Sequence, residues 1–261
     1  MTEREILEVL GQIEASPDAD VSEYLSYHGE GHFHAWRVTL RDRPNTWIVK
    51  SPTHEDENRL VFRDLAIARI GRLFDPPITP EPALASVSLL VASQLACRAE
   101  DQGEPRCERA VAGSAVFATH RLGHAYKGTL QNLDRESIAR VVAFGSWVDA
   151  TDAEYVDGPE WRAYSIDHAD SLHNATDWCE GEQVDVRFGD LARLDDGSLR
   201  DPALYRHFIE ELRTLAPVDV IHTFAGIPLE WGGALEQRAH EAAYLLMRQP
   251  GMEGAVASFT S

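Results

Sequence analysis

The feature that most constrains the fold of this chain is the order of its strand and helix signals. Three runs rich in aromatic and β-branched residues, separated by Gly and Pro-Asn turns, predict antiparallel strands within residues 21–50. An apolar stripe at helical spacing predicts a helix over 55–74, and further strands are predicted over 83–96 and 114–122. Helix signals dominate from about residue 123 onward. The expected fold class is therefore α+β, with a sheet-rich first half and a mainly helical second half.

A change from strand signals to helix signals near Leu122–Gly128 predicts a boundary between two lobes. The first lobe would comprise residues 1–122 and the second residues 123–261. The length of 261 residues suits either one large domain or two small lobes. Asp134 is the expected N-cap of the first helix of the second half, because its carboxylate can accept a hydrogen bond from an unpaired amide of the first turn.

The charge balance excludes some classes of partner. The chain has 24 basic and 43 acidic residues and a formal net charge of −19. Extensive contact with nucleic acid or with an anionic membrane surface relies on clustered Lys and Arg, so neither partner is expected. The sequence begins without a signal-peptide pattern and has no apolar run that could span a bilayer. Its three cysteines show no disulfide or zinc spacing, which favours a reducing, cytoplasmic location.

Lysine is rare, which draws attention to each position where it occurs. Lys50 and Lys127 are the only lysines, and Lys50 ends the third predicted strand. In protein kinases a lysine on a strand after a glycine-rich loop holds the ATP phosphates. Gly29 and Gly31 lie in a predicted turn before that strand, where backbone amides could approach a phosphate. The ordinary alternatives are an exposed lysine at a strand end and a plain glycine turn.

Carboxylates occur at two positions that could complete such a site. Asp64, on the predicted helix after Lys50, could pair with that lysine, although an exposed surface carboxylate is an equal alternative. Residues 149–201 contain 15 acidic residues and four arginines. Within this acidic segment Asp167 follows a strand-like run, where Asp is disfavoured unless it has a role. Aspartates there could hold a divalent metal ion against ATP oxygens, and the alternative is a solvated acidic surface.

Taken in order, these features resemble the HipA-like kinases, a bacterial branch of the protein-kinase-like superfamily. The resemblance covers roughly residues 20–250, and Asp64 stands where the family has Glu. The segments that carry the resemblance are Trp47–Lys50, Arg63–Phe74, Pro77–Pro82, Ala143–Val148, Ile166–Ala169 and Ile227–Trp231.

The resemblance implies a two-lobed protein-kinase-like fold with ATP and Mg²⁺ as cofactors. It implies that Asp152 is the catalytic base, that Lys50 holds phosphates, and that Asp157 and Asp167 bind the metal ion. It also implies that Thr119–Leu122 forms the hinge beside adenine. The nucleotide-binding residues it implies are Gly29, Gly31, Phe33, Lys50, Asp64, His120 and Leu122.

The predicted catalytic loop departs from the family pattern. Ala150 and Ala153 replace an Asn and an Arg that would hydrogen-bond around Asp152. Three functions therefore stay open: a kinase that phosphorylates a hydroxyl, expected on a protein; a pseudokinase that binds nucleotide or a partner protein; and a kinase for a cationic small molecule, suited by the acidic segment.

Overall fold

The structure is a computed structural model in which most strands lie in the first half of the chain and most helices in the second. The described residues are 1–27, 35–50, 55–88, 91–92, 115–122, 133–151, 154–179, 182, 184–188, 197–231 and 233–261, with the side chains of 55–60 and 115 excepted. The helices are α1 (Glu3–Leu10), α2 (Glu55–Gly71), α3 (Arg135–Trp147), α4 (Arg206–Thr214), α5 (Pro217–Phe224), α6 (Leu235–Arg248) and α7 (Met252–Thr260). The strands are β1 (Ala19–Tyr27), β2 (Ala35–Leu40), β3 (Arg43–Lys50), β4 (Pro82–Ser86), β5 (Ala115–His120), β6 (Glu154–Asp157) and β7 (Ala163–Ile166).

The first five strands form a closed barrel in the order β1-β2-β3-β5-β4. All neighbours are antiparallel except β1 and β4, which close the barrel as a parallel pair through Ala19 opposite Ala85 and Asp20 opposite Ser86. Alternate side chains point to opposite sides of a strand, so one set fills the barrel. This inner core is apolar and comprises Val21, Tyr24, Trp36, Val38, Leu40, Trp47, Val49, Ala83, Ala85, Val87, Ala92, Val116 and Ala118.

The outer face of the barrel supplies the surface on which the site is built. Lys50 on β3 lies opposite Phe117 on β5, which in turn lies opposite Leu84 on β4. Phe117 and Leu84 are buried in a second core, which they share with α2 and with the helices of the second half. Lys50 is therefore in a row of side chains that faces the helices and not the barrel interior.

This second core overturns the prediction of a two-lobed protein-kinase-like fold. Its buried residues come from both sides of the predicted boundary, with Val61 and Phe117 in the same cluster as Trp147, Phe208 and Leu245. The sheet is a closed barrel, and α2 contacts both β4 and α5. The chain is thus a small α+β domain without a two-lobed arrangement. Lys50 lies on the outer face of the barrel.

The second half contributes a two-stranded ribbon and a group of helices. Strands β6 and β7 pair antiparallel, from Glu154 opposite Ile166 to Asp157 opposite Ala163. Residues 154–157 were predicted to belong to a catalytic loop, and in the structure they form a strand. The predicted cap is present, because the Asp134 carboxylate accepts a hydrogen bond from the Ser137 amide at 2.8 Å at the start of α3.

The helix signals of the second half are matched by helices there, among them α4 and α6, each preceded by a short 3₁₀ turn. The strand predicted over 83–96 ends at Ser86, and residues 91–92 are helical. Within the described ranges, none of the helices has both the length and the apolar character needed to cross a membrane.

Candidate functional site

Lys50 is held between two carboxylates at the end of β3. Its Nζ atom donates hydrogen bonds to Oδ2 of Asp64 at 2.6 Å and to Oδ1 of Asp167 at 2.9 Å. The predicted pairing of Lys50 with Asp64 is therefore present. The Lys50 side chain is only 12% exposed, so both ion pairs form in a region shielded from water. Hydrogen bonds between charged groups are shorter and stronger than neutral ones, and these two hold the ammonium group at a defined point.

Asp64 lies on the face of α2 that is buried against the barrel and the ribbon. Its side chain is 3% exposed. While Oδ2 accepts the hydrogen bond from Lys50, Oδ1 accepts one from the backbone amide of His168 at 3.0 Å. A buried carboxylate is costly unless its oxygens are hydrogen-bonded, and here each oxygen has a donor. The ordinary alternative of an exposed helix carboxylate is thus excluded for Asp64.

Asp167 follows β7 directly and adopts a left-handed backbone conformation, with φ of +55°. Asp tolerates this region better than most residues, but it needs surrounding contacts to hold it there. One such contact anchors the strand just before it, because the amide of Ser165 donates to the carbonyl oxygen of Ile78 at 2.8 Å. The Asp167 side chain is 41% exposed, so it is the member of the trio that a ligand from solvent can reach.

The charges of the trio determine its chemistry. Burial acts to lower the pKa of Lys50, but the adjacent Asp64 and Asp167 carboxylates outweigh it and raise that pKa above its ordinary value. Lys50 is therefore a permanent cation near neutral pH, which rules out an amine nucleophile and favours a role in binding anions. The Lys50 charge is in turn the main cause that lowers the pKa of Asp167, which stays ionised and able to bind a cation.

His168 contributes its backbone to the site and its ring to the core. The ring is buried and meets Phe144 edge-on, with the ring centres 5.8 Å apart. Burial lowers the pKa of His168, so the imidazole is neutral and adds no positive charge beside Lys50.

Magnesium was predicted to bind Asp157 and Asp167, and the ribbon register separates these two residues. Asp157 lies opposite Ala163, the first residue of β7, whereas Asp167 follows the last one, and β7 spans about 10 Å between its ends at the rise of an extended strand. Glu154 lies much nearer, because it pairs with Ile166, the residue before Asp167. Mg²⁺ is usually held by one or two carboxylates together with substrate phosphates, so the partly exposed Asp167 is suited to contribute one ligand to such an ion. Among the described residues, no group of three His, Cys, Asp or Glu side chains forms a metal site by itself.

Sequence reasoning pointed to Asp157 through motif spacing and did not single out Glu154, the residue that the ribbon places opposite the end of β7. Only the register of β6 on β7 distinguishes the two, and no local sequence signal reports that register. The metal role of Asp157 stays a prediction, but the structure does not bring this residue to Asp167.

The remaining predicted residues are only partly described. Gly29, Gly31, Phe33 and Asp152 lie outside the described residues. His120, at the end of β5, pairs with Trp47 and its ring lies 5.5 Å from the Trp47 ring. Trp47 belongs to the barrel core, so His120 is on the opposite face of the sheet from Lys50. Leu122 follows the strand by two residues and is half-buried. Burial lowers the pKa of His120.

Comparison of the chain with protein-family models, with curated proteins and with solved structures found no match.

Proposed function

We propose that this protein is an ATP-dependent phosphotransferase of the HipA-like type, which transfers the γ-phosphoryl group to a hydroxyl, most simply on a protein. The observation that carries the proposal is the position of Lys50 between Asp64 and Asp167. Asp167 is 117 positions from Lys50 in the chain, yet their charged atoms are 2.9 Å apart. A strand lysine, a helix carboxylate and a carboxylate at a strand end are the parts that a phosphate and metal site of this type needs. Such sites occur on different folds, so the proposal does not depend on a kinase fold.

In the proposed reaction, the Lys50 cation binds the α- and β-phosphates and Asp64 keeps it in place. Asp167, with Glu154 near it, would hold Mg²⁺, which when bound supplies neutralising charge to the phosphate oxygens. The acceptor oxygen forms a bond to the γ-phosphorus while the bond from that phosphorus to the ADP oxygen breaks. Asp152 would accept the proton of the acceptor hydroxyl, as the resemblance implies. Catalysis would rest on positioning and charge neutralisation.

The proposed setting follows from composition. A net charge of −19 disfavours nucleic acid and anionic membranes as partners. The cysteine pattern favours the cytoplasm, where ATP is available.

A second candidate function is a nucleotide-binding module that serves a partner protein without turnover. Ala150 and Ala153 favour it, because neither can hydrogen-bond around Asp152. The ribbon register also supports it, because it does not bring Asp157 beside Asp167.

Binding of Mg·ATP, measured by calorimetry, tests the part that both candidates share. Wild type is expected to bind, and Lys50→Met and Asp167→Asn to bind at least about tenfold more weakly, since each removes a charged contact. The matched control is Lys127→Met, which changes the only other lysine and is expected to bind like wild type. Circular dichroism would establish that each variant is folded. Absence of binding by folded wild type would overturn the proposal.

Turnover separates the two candidates. Phosphoryl transfer from labelled ATP to protein or to water is expected in wild type and is expected to be lost in Asp152→Ala. Binding without transfer in wild type, across a broad set of protein and small-molecule hydroxyl acceptors, would instead support the binding module. Transfer only to cationic small molecules would identify a small-molecule kinase.

A further inference from the structure

We infer that Asp64 is a positioning residue for both ends of the site, because it fixes the backbone beside Asp167 as well as the ammonium group of Lys50. The inference rests on the proposed function for its consequence, but the contacts that carry it belong to the ligand-free chain. Orienting the lysine is the role expected from the sequence. The second role comes from the hydrogen bond that the His168 amide donates to Oδ1 of Asp64 at 3.0 Å.

The contacts form a closed ring. Starting at Lys50 Nζ, the ring passes to Oδ2 of Asp64 at 2.6 Å, and from Oδ1 of the same carboxylate to the amide of His168. It then continues through the backbone to Asp167 and returns from Oδ1 of Asp167 to Lys50 Nζ at 2.9 Å. The Asp64 carboxylate therefore holds both the Lys50 ammonium group and the backbone of the turn at Asp167.

Asp64 is itself held firmly enough to fix the positions of both groups. Its side chain is almost fully buried, and its neighbour Arg63 is tied to Glu241 on α6, so α2 cannot shift easily at this position. Asp167 needs such support because its positive φ is unfavourable for a residue with a Cβ atom. The amide of His168 belongs to the peptide that follows Asp167, so holding this amide restrains the ψ angle of Asp167 and with it the direction of the carboxylate.

The inference separates Asp64 from Lys50 in what their loss should change. Without the Asp64 acceptor, the turn at Asp167 loses its hydrogen bond, and both the phosphate end and the metal end of the site become less well ordered. Without the Lys50 charge, Asp64 still accepts the hydrogen bond from His168, because either protonation state of a carboxyl group keeps an acceptor oxygen.

Amide hydrogen exchange in the ligand-free protein tests the inference directly. In Asp64→Leu, which has a similar size and no acceptor, the His168 amide is expected to exchange at least about tenfold faster than in wild type. The amide of Ser165, which donates to Ile78, is the internal control and is expected to keep its rate. In Lys50→Met the His168 amide is expected to stay within about threefold of wild type. Equal acceleration of both amides in Asp64→Leu, or no acceleration at His168, would overturn the inference.

A second variant covers the case in which Asp64→Leu does not fold. Asp64→Asn keeps one acceptor oxygen but places an NH₂ group against either Lys50 or the His168 amide. If the NH₂ group faces the His168 amide, exchange at His168 is expected to accelerate. If the oxygen stays on that amide, the NH₂ group faces Lys50, which then shifts, and the Mg²⁺ concentration that half-saturates ATP binding is expected to rise. Wild-type behaviour in both measurements would overturn the inference. Failure of wild type to bind Mg·ATP would instead overturn the proposed function, and the exchange result would stand independently.

Discussion

Arg63 on α2 and Glu241 on α6 are 178 positions apart in the chain and form a buried ion pair between the two helices. The guanidinium donates to Oε1 of Glu241 from Nε at 3.2 Å and from Nη2 at 2.8 Å. Nε2 of Gln237 donates to the same oxygen at 3.0 Å. The helix that carries Asp64 is therefore joined directly to α6 in the second half of the chain.

Removing one partner of this ion pair should cost far more than removing both. Arg63→Met and Glu241→Met are each expected to lower the free energy of unfolding by about 3–5 kcal/mol, because each leaves one buried charge without its partner. The double variant should cost much less than the sum, because neither charge of the pair is then left buried without the other. Urea unfolding of the four proteins measures the coupling. Additive costs would show that the pair contributes nothing specific.

Lys50 should not tolerate replacement by arginine, although arginine is by far the more common basic residue in this chain. The Lys50 pocket is closed by Asp64 and Asp167, and a planar guanidinium is larger than an ammonium group. Lys50→Arg is expected to lower the free energy of unfolding by about 1–3 kcal/mol through overpacking. It should also weaken Mg·ATP binding. Full stability and full binding in Lys50→Arg would show that only the charge matters.

Tyr244 should make the stability of the protein fall at alkaline pH. Its hydroxyl donates to Oδ2 of Asp149 at 2.7 Å and accepts from Nη1 of Arg248 at 2.9 Å. Burial, reinforced by the Asp149 carboxylate and opposed by the Arg248 charge, raises the pKa of Tyr244 above its ordinary value. The folded protein therefore keeps this proton where the unfolded chain, with a tyrosine pKa near about 10, has lost it. The stabilisation is complete below that pH and decreases as pH rises.

Comparison with Tyr244→Phe measures this effect. Near neutral pH the variant is expected to be less stable than wild type by about 1.5–3 kcal/mol, since it loses hydrogen bonds to charged groups. Between about pH 10 and 12 the difference should shrink, because only wild type loses stability through ionisation of Tyr244 in the unfolded chain. Urea unfolding at a series of pH values gives the two curves. Parallel curves over this range would contradict the prediction.

Two helical glycines should respond oppositely to replacement by alanine. At Gly71, the last residue of α2, an added Cβ would lie 2.3 Å from Cγ2 and 2.6 Å from Oγ1 of Thr79. The Thr79 hydroxyl is buried and donates to the carbonyl oxygen of Ala68 at 2.6 Å, so it cannot easily move away. Gly71→Ala is therefore expected to destabilise the protein by about 1–3 kcal/mol. Thermal or urea unfolding measures it, and Gly71→Ala combined with Thr79→Ser, which removes the clashing methyl group, should recover part of the loss.

Gly254 in α7 is the matched control. An added Cβ there meets no atom within 4 Å. Alanine loses less backbone entropy than glycine when a helix forms, so Gly254→Ala is expected to stabilise the protein by about 0.5–1 kcal/mol. Destabilisation by Gly254→Ala comparable to that of Gly71→Ala would show that the crowding at Thr79 is not the cause.

Local patterns in the chain were sufficient to predict most of its elements. The aromatic and β-branched runs of β2 and β3 and the apolar stripe of α2 are local patterns, so the positions of these elements could be recognised without the fold. The cap at Asp134 is likewise a local interaction. Lys50 was singled out because lysine is rare in this chain, Asp167 because it follows a strand-like run, and Asp64 because it lies on the helix after Lys50.

The sequence by itself therefore determined the types of element and the charged residues that meet at Lys50. Only the tertiary structure decided how they are arranged. Barrel closure depends on the pairing of Ala19 with Ala85, and the choice of Glu154 over Asp157 beside Asp167 depends on one ribbon register. The second role of Asp64 depends on an amide 104 positions away. Contacts between distant residues leave no local pattern in a single sequence, because their energy is gained only when the chain has folded.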